Sequence, residues 1–185
     1  SHASNMQNAG LQMLWLKKAK PEIYAKTRYI LHLPQYLSYL LTSEVYSEHT
    51  SIGNHTSLWD FDNMKYHKWV KDECLPVPEP VSVLTNKEIE MEGKQIKIGV
   101  GINSNSGSLV PFFSSVEGKF LLVSTGYTSV TMNPFNSESL TNEQLQKNCF
   151  CYLNIYMKPV KSSMFILGQL HETAVNILSK YFKIQ

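Results

Sequence analysis

Charge, and guanidinium above all, is what this sequence has least of. Charged residues fill 17% of its 185 positions, below the ~25% of an average soluble domain. A single arginine, Arg28, stands among 17 basic residues. A nucleic-acid binder uses clustered guanidinium forks for phosphates and guanine edges, so no nucleic-acid partner is expected. A disordered polyelectrolyte is excluded too, because the net charge is only +2. No apolar run approaches the ~18 residues of a membrane span, so no membrane partner is expected. The start, Ser1-His2-Ala3-Ser4-Asn5, has neither a basic nor an apolar segment, and no signal peptide is read there. Three cysteines, Cys74, Cys149 and Cys151, include one C-x-C pair but no second ligand pair at metal spacing. They read as buried or strand thiols in a reducing cytoplasm rather than a zinc site. Without a secretory signal, the sequon Asn54-His55-Thr56 reads as coincidence.

What is abundant is apolar and aromatic. Hydrophobic residues reach 43% and aromatics 11%, mostly Tyr and Phe, which suits an α/β core or a sugar-handling surface. With so few charges, large buried or partner-covered surfaces are expected. The first 75 residues read as helix-rich. Leu11, Leu14, Trp15 and Lys18 keep helical spacing up to Pro21. Pro21 suits the first turn of a second helix, Glu22 to about Arg28, and Pro34 opens a third with Leu37, Leu40 and Leu41 on one face. Val45 to Thr50 reads as extended, and Tyr66 to Glu73 as a short amphipathic piece.

The prolines of Leu75-Pro76-Val77-Pro78-Glu79-Pro80 hold a stiff extended connection. Ile89 and Met91, the turn Glu92-Gly93-Lys94, and then Ile96, Ile98, Val100 and Ile102 spell a hairpin of period two. A second ribbon runs from Phe120 through Gly126 to Asn133. Thr141 and Gln144 form a capping-box pattern that starts a helix at Asn142. Phe150 to Met157 and Ser163 to Leu167 read as strands. The last helix carries Leu170, Ala174, Ile177, Leu178 and Tyr181 on one face. Helices alternating with strands argue α/β or α+β.

Taken singly, the chemistry-bearing residues are weak signals. The six histidines are dispersed, with no H-E-x-x-H pair, and His171 reads as exposed or satisfied. Asp60 and Asp62, flanked by Trp59 and Phe61, read as turn-formers. Gly99-Val100-Gly101 is too short for a dinucleotide fingerprint. Ser124-Thr125-Gly126 at a strand end offers backbone N–H groups and hydroxyls to a phosphate.

The order of segments says more. Tyr36 to Glu44, Tyr36-Leu37-Ser38-Tyr39-Leu40-Leu41-Thr42-Ser43-Glu44, resembles the "D-Y-L-x-Y-x-L-T-G-E" stretch of FGGY carbohydrate kinases. Ser51 to Phe61 is similar to their "T-x-A-S-x-T-x-L-x-D" segment. Ile98-Gly99-Val100-Gly101-Ile102-Asn103-Ser104-Asn105-Ser106-Gly107 resembles "V-G-x-G-I-H-D-S-S-A". Phe120 to Gly126 resembles the "L-S-T-G-T-W" phosphate hairpin, and Lys158 to Ser163 with Leu167-Gly168 the continuation in rhamnulose- and fuculose-kinase-like members. The resemblance implies an α/β fold that is part of an actin-like, ribonuclease-H-type ATPase. On this implication residues 1–117 end the first domain and residues 118–185 begin the second, with the boundary near Glu117-Gly118. The strand ending near Ile102 and the hairpin around Gly126 would then face each other across a cleft.

The resemblance also implies roles. The parent function is ATP- and magnesium-dependent phosphorylation of a sugar, a ketose or deoxy-ketose. Asn103 falls at the histidine of "H-D", on the sugar. Ser104 falls at the aspartate, the base that takes the hydroxyl proton, and Ser124, Thr125 and Gly126 line the γ-phosphate. Two departures follow: a serine hydroxyl cannot serve as that base near neutral pH, and Tyr127 and Thr128 replace threonine and tryptophan. The opening "D-x-G-T" hairpin and the glycine-rich adenine segment are expected outside these 185 residues. The chain is therefore expected not to bind ATP or magnesium tightly and to be inactive alone. Apolar faces left uncovered are expected to be met by a homo-oligomer or by the remainder of a longer chain. The alternative is a non-catalytic binding or assembly module on a degenerate sugar-kinase scaffold.

Overall fold

The computed structural model describes residues 8–54 and 56–183. His2 and His55, and with it the centre of the sequon, lie outside the described residues. Helix α1 (Ala9–Ala19) is capped by the Asn8 side chain and stops before Pro21, where proline's missing donor ends the pattern. Helix α2 covers only Pro21–Tyr24, shorter than the expected Glu22–Arg28. Its continuation is pulled away because the Ile30 N–H donates to the Pro76 carbonyl, so a tertiary bond takes the place of another helical turn.

Helix α3 (Leu33–Thr42) begins with Pro34 in its first turn and closes on Ser43 at φ 58°. Strand β1 (Ser47–Glu48) and helix α4 (His49–Ile52) follow. The extended run expected to reach Thr50 therefore stops at Glu48, whose carboxylate accepts from the N–H groups of Thr50 and Ser51 and starts a helix. The small ribbon β2 (Trp59–Asp60) and β3 (Lys65–Tyr66) is closed by Asp60, which accepts from the N–H groups of Asp62 and Asn63. That is the turn-forming role read for this pair. Helix α5 (Lys68–Asp72) leads into the proline segment, whose end, β4 (Pro80–Val81), pairs parallel with β1.

The hairpin β5 (Asn86–Met91) and β6 (Lys94–Gly99) turns at Glu92-Gly93 as read. However, β6 ends at Gly99, not near Ile102. The run after it, read as strand and turn only, becomes helix α6 (Ser104–Ser115), capped by Asn103 and tolerating Pro111 inside. Then comes the four-stranded sheet in the order β7-β8-β10-β9, formed by β7 (Leu122–Ser124), β8 (Ser129–Asn133), β9 (Cys149–Leu153) and β10 (Pro159–Phe165). Helix α7 (Asn142–Gln146) carries both bonds of the Thr141–Gln144 capping box. The strands read as Phe150–Met157 and Ser163–Leu167 have shifted bounds. The Asn154 side chain accepts from the N–H groups of Tyr156 and Lys158 and folds that stretch into a turn. Helix α8 (Leu167–Phe182) ends the described chain.

Two apolar clusters form. One joins Met13, Ile52, Leu58, Trp59, Tyr66, Val70, Leu75 and, from β9, Leu153. The other joins Leu109 of α6 to Val130, Met132, Phe150, Tyr152 and Val160 of the sheet. The hairpin β5–β6 and the ribbon around Gly126 lie in separate sheets, not in one closed barrel. Cys149 and Cys151 lie half-buried on β9, whereas Cys74 is exposed in a turn. The expectation for Cys74 is thereby corrected: φ of 49° there bends the chain outward after α5.

The His32 ring, just before α3, has its Nε2 shut from solvent without a partner, and burial pushes its pKa down to about 4. Burial favours the neutral ring in the folded chain, so stability is whole above the unfolded value near 6.5. It declines as pH falls from there towards 4, because only the unfolded chain protonates freely. Urea melts over that range should show a loss on the order of 2 kcal/mol. His32→Asn should flatten most of that slope.

Candidate functional site

Helix α3 is built the opposite way from an ordinary amphipathic helix. Its buried residues are Gln35, Ser38 and Thr42, a polar stripe at 3–4 spacing, while Leu37, Leu40 and Leu41 are about half exposed. The reason lies in β6, which among the described residues pairs only with β5, so that the carbonyls of Gly99 at its end and Gly101 just beyond it are left for other donors. Ser38 donates to the Gly99 carbonyl (2.8 Å), and Gln35 Nε2 donates to that of Gly101 (2.8 Å). A hydrocarbon face against those carbonyls would leave them unpaired.

This contact aims the β6–α6 turn. Gly101 sits at φ 79°, and a Cβ there would come within 2.5 Å of the Pro34 carbonyl oxygen. Only glycine combines that left-handed φ with so close an approach. Behind the turn stands Glu48, fully buried. Its carboxylate accepts from Thr50 N–H (2.7 Å), Ser51 N–H (2.7 Å), the Thr50 hydroxyl (2.7 Å) and, at 3.4 Å, Gln35 Nε2. The same Thr50 oxygen accepts from the Asn103 N–H at 2.9 Å. A hydrogen-bonded line thus runs from the buried carboxylate through Thr50 to the Asn103 backbone.

Asn103 and Ser104 are therefore adjacent and firmly placed. The Asn103 side-chain oxygen accepts from the Asn105 N–H (2.9 Å) as the cap of α6, which leaves its amide NH₂ as a donor. Ser104 is the first, exposed residue of α6. Among the described residues no carboxylate or imidazole bonds its hydroxyl, so nothing here activates it. The turn offers donors and hydroxyls to a polar ligand but no base.

Ser124, Thr125 and Gly126 lie together at the exposed tip of the β7–β8 hairpin. Helix α8 holds that tip. The Gly168 N–H donates to the Tyr127 carbonyl (2.8 Å) and the Tyr127 hydroxyl bonds Glu172 (3.4 Å). A Cβ on Gly168 would collide with the Tyr127 ring. Tyr127, noted in the sequence only as a departure, is thus the contact that ties the turn to α8.

The two groups of site residues are not in hydrogen-bond contact with each other. Ser106 of α6 donates to the Leu153 carbonyl, at the sheet end where β9 turns towards β10. The hairpin tip lies at the other end, where Ser129 pairs with Phe165. A separate cleft of about 300 Å³ opens among Gly53, Trp59, His67, Phe150 and Cys151. None of the sequence-read site residues lines it, and burial pushes the Cys151 thiol up, away from a reactive thiolate.

Sequence reading missed Gln35, Glu48, Thr50 and Gly168. The 3–4 spacing of Gln35, Ser38 and Thr42 was the available signal for the first. Glu48 meets Thr50 and Ser51 locally as the cap of α4, but nothing local marks it as buried, because Gln35 joins it only when α3 and α4 meet.

This arrangement of elements is an α/β fold shared with solved carbohydrate kinases. The described chain superposes on a carbohydrate kinase from Novosphingobium aromaticivorans with a TM-score of 0.75, at 22% identity, over 90% of this chain and 38% of that one. A xylulose kinase from Lactobacillus acidophilus matches with a TM-score of 0.67 at 13% identity, over 85% of this chain and 34% of that one. In sequence, the chain is similar to a rhamnulokinase of Oceanobacillus iheyensis, 28% identical over 102 residues, which is 52% of this chain and 21% of the relative. No family model matches the chain. The carbohydrate-kinase likeness read from the order of its segments is borne out by these matches, and the chain spans well under half the length of the proteins it matches.

Proposed function

We propose that this chain is the cleft-lining middle of a sugar-kinase-type protein, ending one domain and opening the next near Glu117-Gly118. Its parent reaction is ATP-dependent phosphorylation of a ketose or deoxy-ketose in the cytoplasm. Asn103 and Ser104 lie on the sugar side, and Ser124, Thr125 and Gly126 on the phosphate side. The observation that carries this reading is the β6–α6 turn. There Thr50 accepts from the Asn103 N–H and Gln35 donates to the Gly101 carbonyl, in the turn that the sequence resemblance assigns to the sugar.

The residues fit the two cofactors unequally. The exposed hydroxyls and amides of Ser124 to Gly126 suit phosphate oxygens. Among the described residues there is no group of His, Cys, Asp or Glu able to hold a metal ion, so these residues do not by themselves fit magnesium. Without a base at Ser104, the chain's own residues bind and orient rather than take the proton. That same serine favours a second reading, a non-catalytic module that keeps the scaffold for binding or assembly.

Backbone NMR of the ¹⁵N-labelled chain tests the sites. Millimolar L-rhamnulose should shift the amides of Asn103 to Asn105, and ATP those of Ser124 to Tyr127, both with weak saturation. Unshifted amides at these positions would remove the site assignment. Rhamnulose shifts without any ATP response would favour the binding module.

A further inference from the structure

Glycine is among the poorest helix formers, yet Gly168 is the second residue of α8. The cause lies outside the helix. A Cβ at that position would collide with the Tyr127 ring, so the ring rests where any other residue would carry a side chain. The backbone adds a second tie. Ile166 gives α8 no side-chain cap, and the first N–H groups of a helix have no partner within it. The Gly168 N–H finds one in the Tyr127 carbonyl, at 2.8 Å. One turn further on, Glu172 accepts from the Tyr127 hydroxyl at 3.4 Å. Tyr127 thus meets α8 through its carbonyl, its ring and its hydroxyl, at two residues four apart on one helix face.

The hairpin has little else to fix its tip. The last β7–β8 pair is Ser124–Val130, and Thr125 to Thr128 lie beyond the ladder. A Cβ on Gly126 would meet nothing nearer than the Thr128 carbonyl, at 3.8 Å, so nothing packs closely on the loop from that side. A glycine-containing loop without such support samples many shapes. We infer that Gly168 and Tyr127 are positioning residues for the turn Ser124-Thr125-Gly126. The ring seated on Gly168 holds that turn in one shape, with its N–H groups and hydroxyls presented together. A turn that is already ordered loses less conformational freedom when it takes a ligand, and binds more tightly for that reason. The use of this order for phosphate rests on the proposed function, whereas the fixing of the loop by α8 does not.

Amide relaxation of the whole ¹⁵N-labelled chain, free and then titrated with ATP, reads the two separately. Gly168→Ala is the decisive variant. Alanine is the better helix former, so if position 168 served the helix alone the change would be neutral or stabilising. In the free chain it should instead lower the order parameters of Thr125 and Gly126 while far-UV circular dichroism is kept. With ATP it should weaken the Kd read at those amides about tenfold. Tyr127→Ala should loosen the same two residues. The double variant should be no looser than Tyr127→Ala, because the collision is gone. Order parameters indifferent to Gly168→Ala would overturn the inference, as would losses that simply add in the double variant. A loosened loop that binds ATP as tightly as before would overturn the positioning role. A loop loosened by Gly168→Ala, with no ATP response even in the unmodified chain, would uphold the fixing of the loop and overturn only the phosphate reading.

Discussion

Purified and given ATP, magnesium and a panel of ketoses and deoxy-ketoses, the 185-residue chain should transfer no phosphoryl group above background, and Ser104→Asp should not change that. The serine accounts for the smaller part. General-base assistance is worth ~10²–10⁴-fold, or about 3–5 kcal/mol of barrier. Positioning of the reactants can supply roughly 7–11 kcal/mol. Phosphoryl transfer depends almost wholly on positioning and charge neutralisation, and the described residues hold no metal-binding cluster. An aspartate at position 104 restores one proton acceptor and none of the rest. A coupled assay for ADP, confirmed by mass spectrometry of the sugar, checks this. Turnover by the unmodified chain would sink the role given to Ser104. Rescue by Ser104→Asp alone would show that these 185 residues already supply the positioning.

The second large effect is on stability. Glu48→Ala should cost about 3–5 kcal/mol, a large share of the ~5–15 kcal/mol that holds a domain folded. The Glu48 carboxylate is the acceptor for two backbone N–H groups, the Thr50 hydroxyl and the Gln35 amide. Truncation leaves those buried donors unpaired, at ~1–3 kcal/mol each. Because the Thr50 hydroxyl also accepts from the Asn103 N–H, the β6–α6 turn should loosen with it. Urea melts give the loss in midpoint, and hydrogen exchange at Asn103 reports the turn. A cost below about 1 kcal/mol would mean that water satisfies these donors and that the network does not hold the turn.

The legible parts of this fold were those whose causes are local. The β5–β6 hairpin followed from period-two alternation around Glu92-Gly93, and α7 from the Thr141–Gln144 box, because a turn residue or a cap acts within a few positions. Helix α8 followed from its spacing alone. The order of the segments also sufficed to recognise a carbohydrate-kinase fold, since each motif could be weak while their sequence along the chain was not.

Other features were decided by tertiary partners. Apart from the Asn103 cap, nothing local favours a helix over Ser104 to Ser115, with a glycine and a proline inside; Leu109 of that helix is buried in one cluster with Val130 and Met132. Helix α2 ends early because Ile30 finds the Pro76 carbonyl. The leucines of α3 point outward although their spacing is that of an inward face, because the unpaired carbonyls of Gly99 and Gly101 demand donors and Gln35 and Ser38 supply them. The sequence by itself determined α1, α3, α7, α8 and the hairpin strands and their order, since periodicity, caps and turn residues act over a few positions; it did not show α4 or α6. Only the tertiary structure decided which faces are buried and what fixes Asn103, because the carbonyls of Gly99 and Gly101 are met by Ser38 and Gln35, 61 and 66 positions away, and the Asn103 N–H by Thr50, 53 positions away, and no local pattern records that pairing.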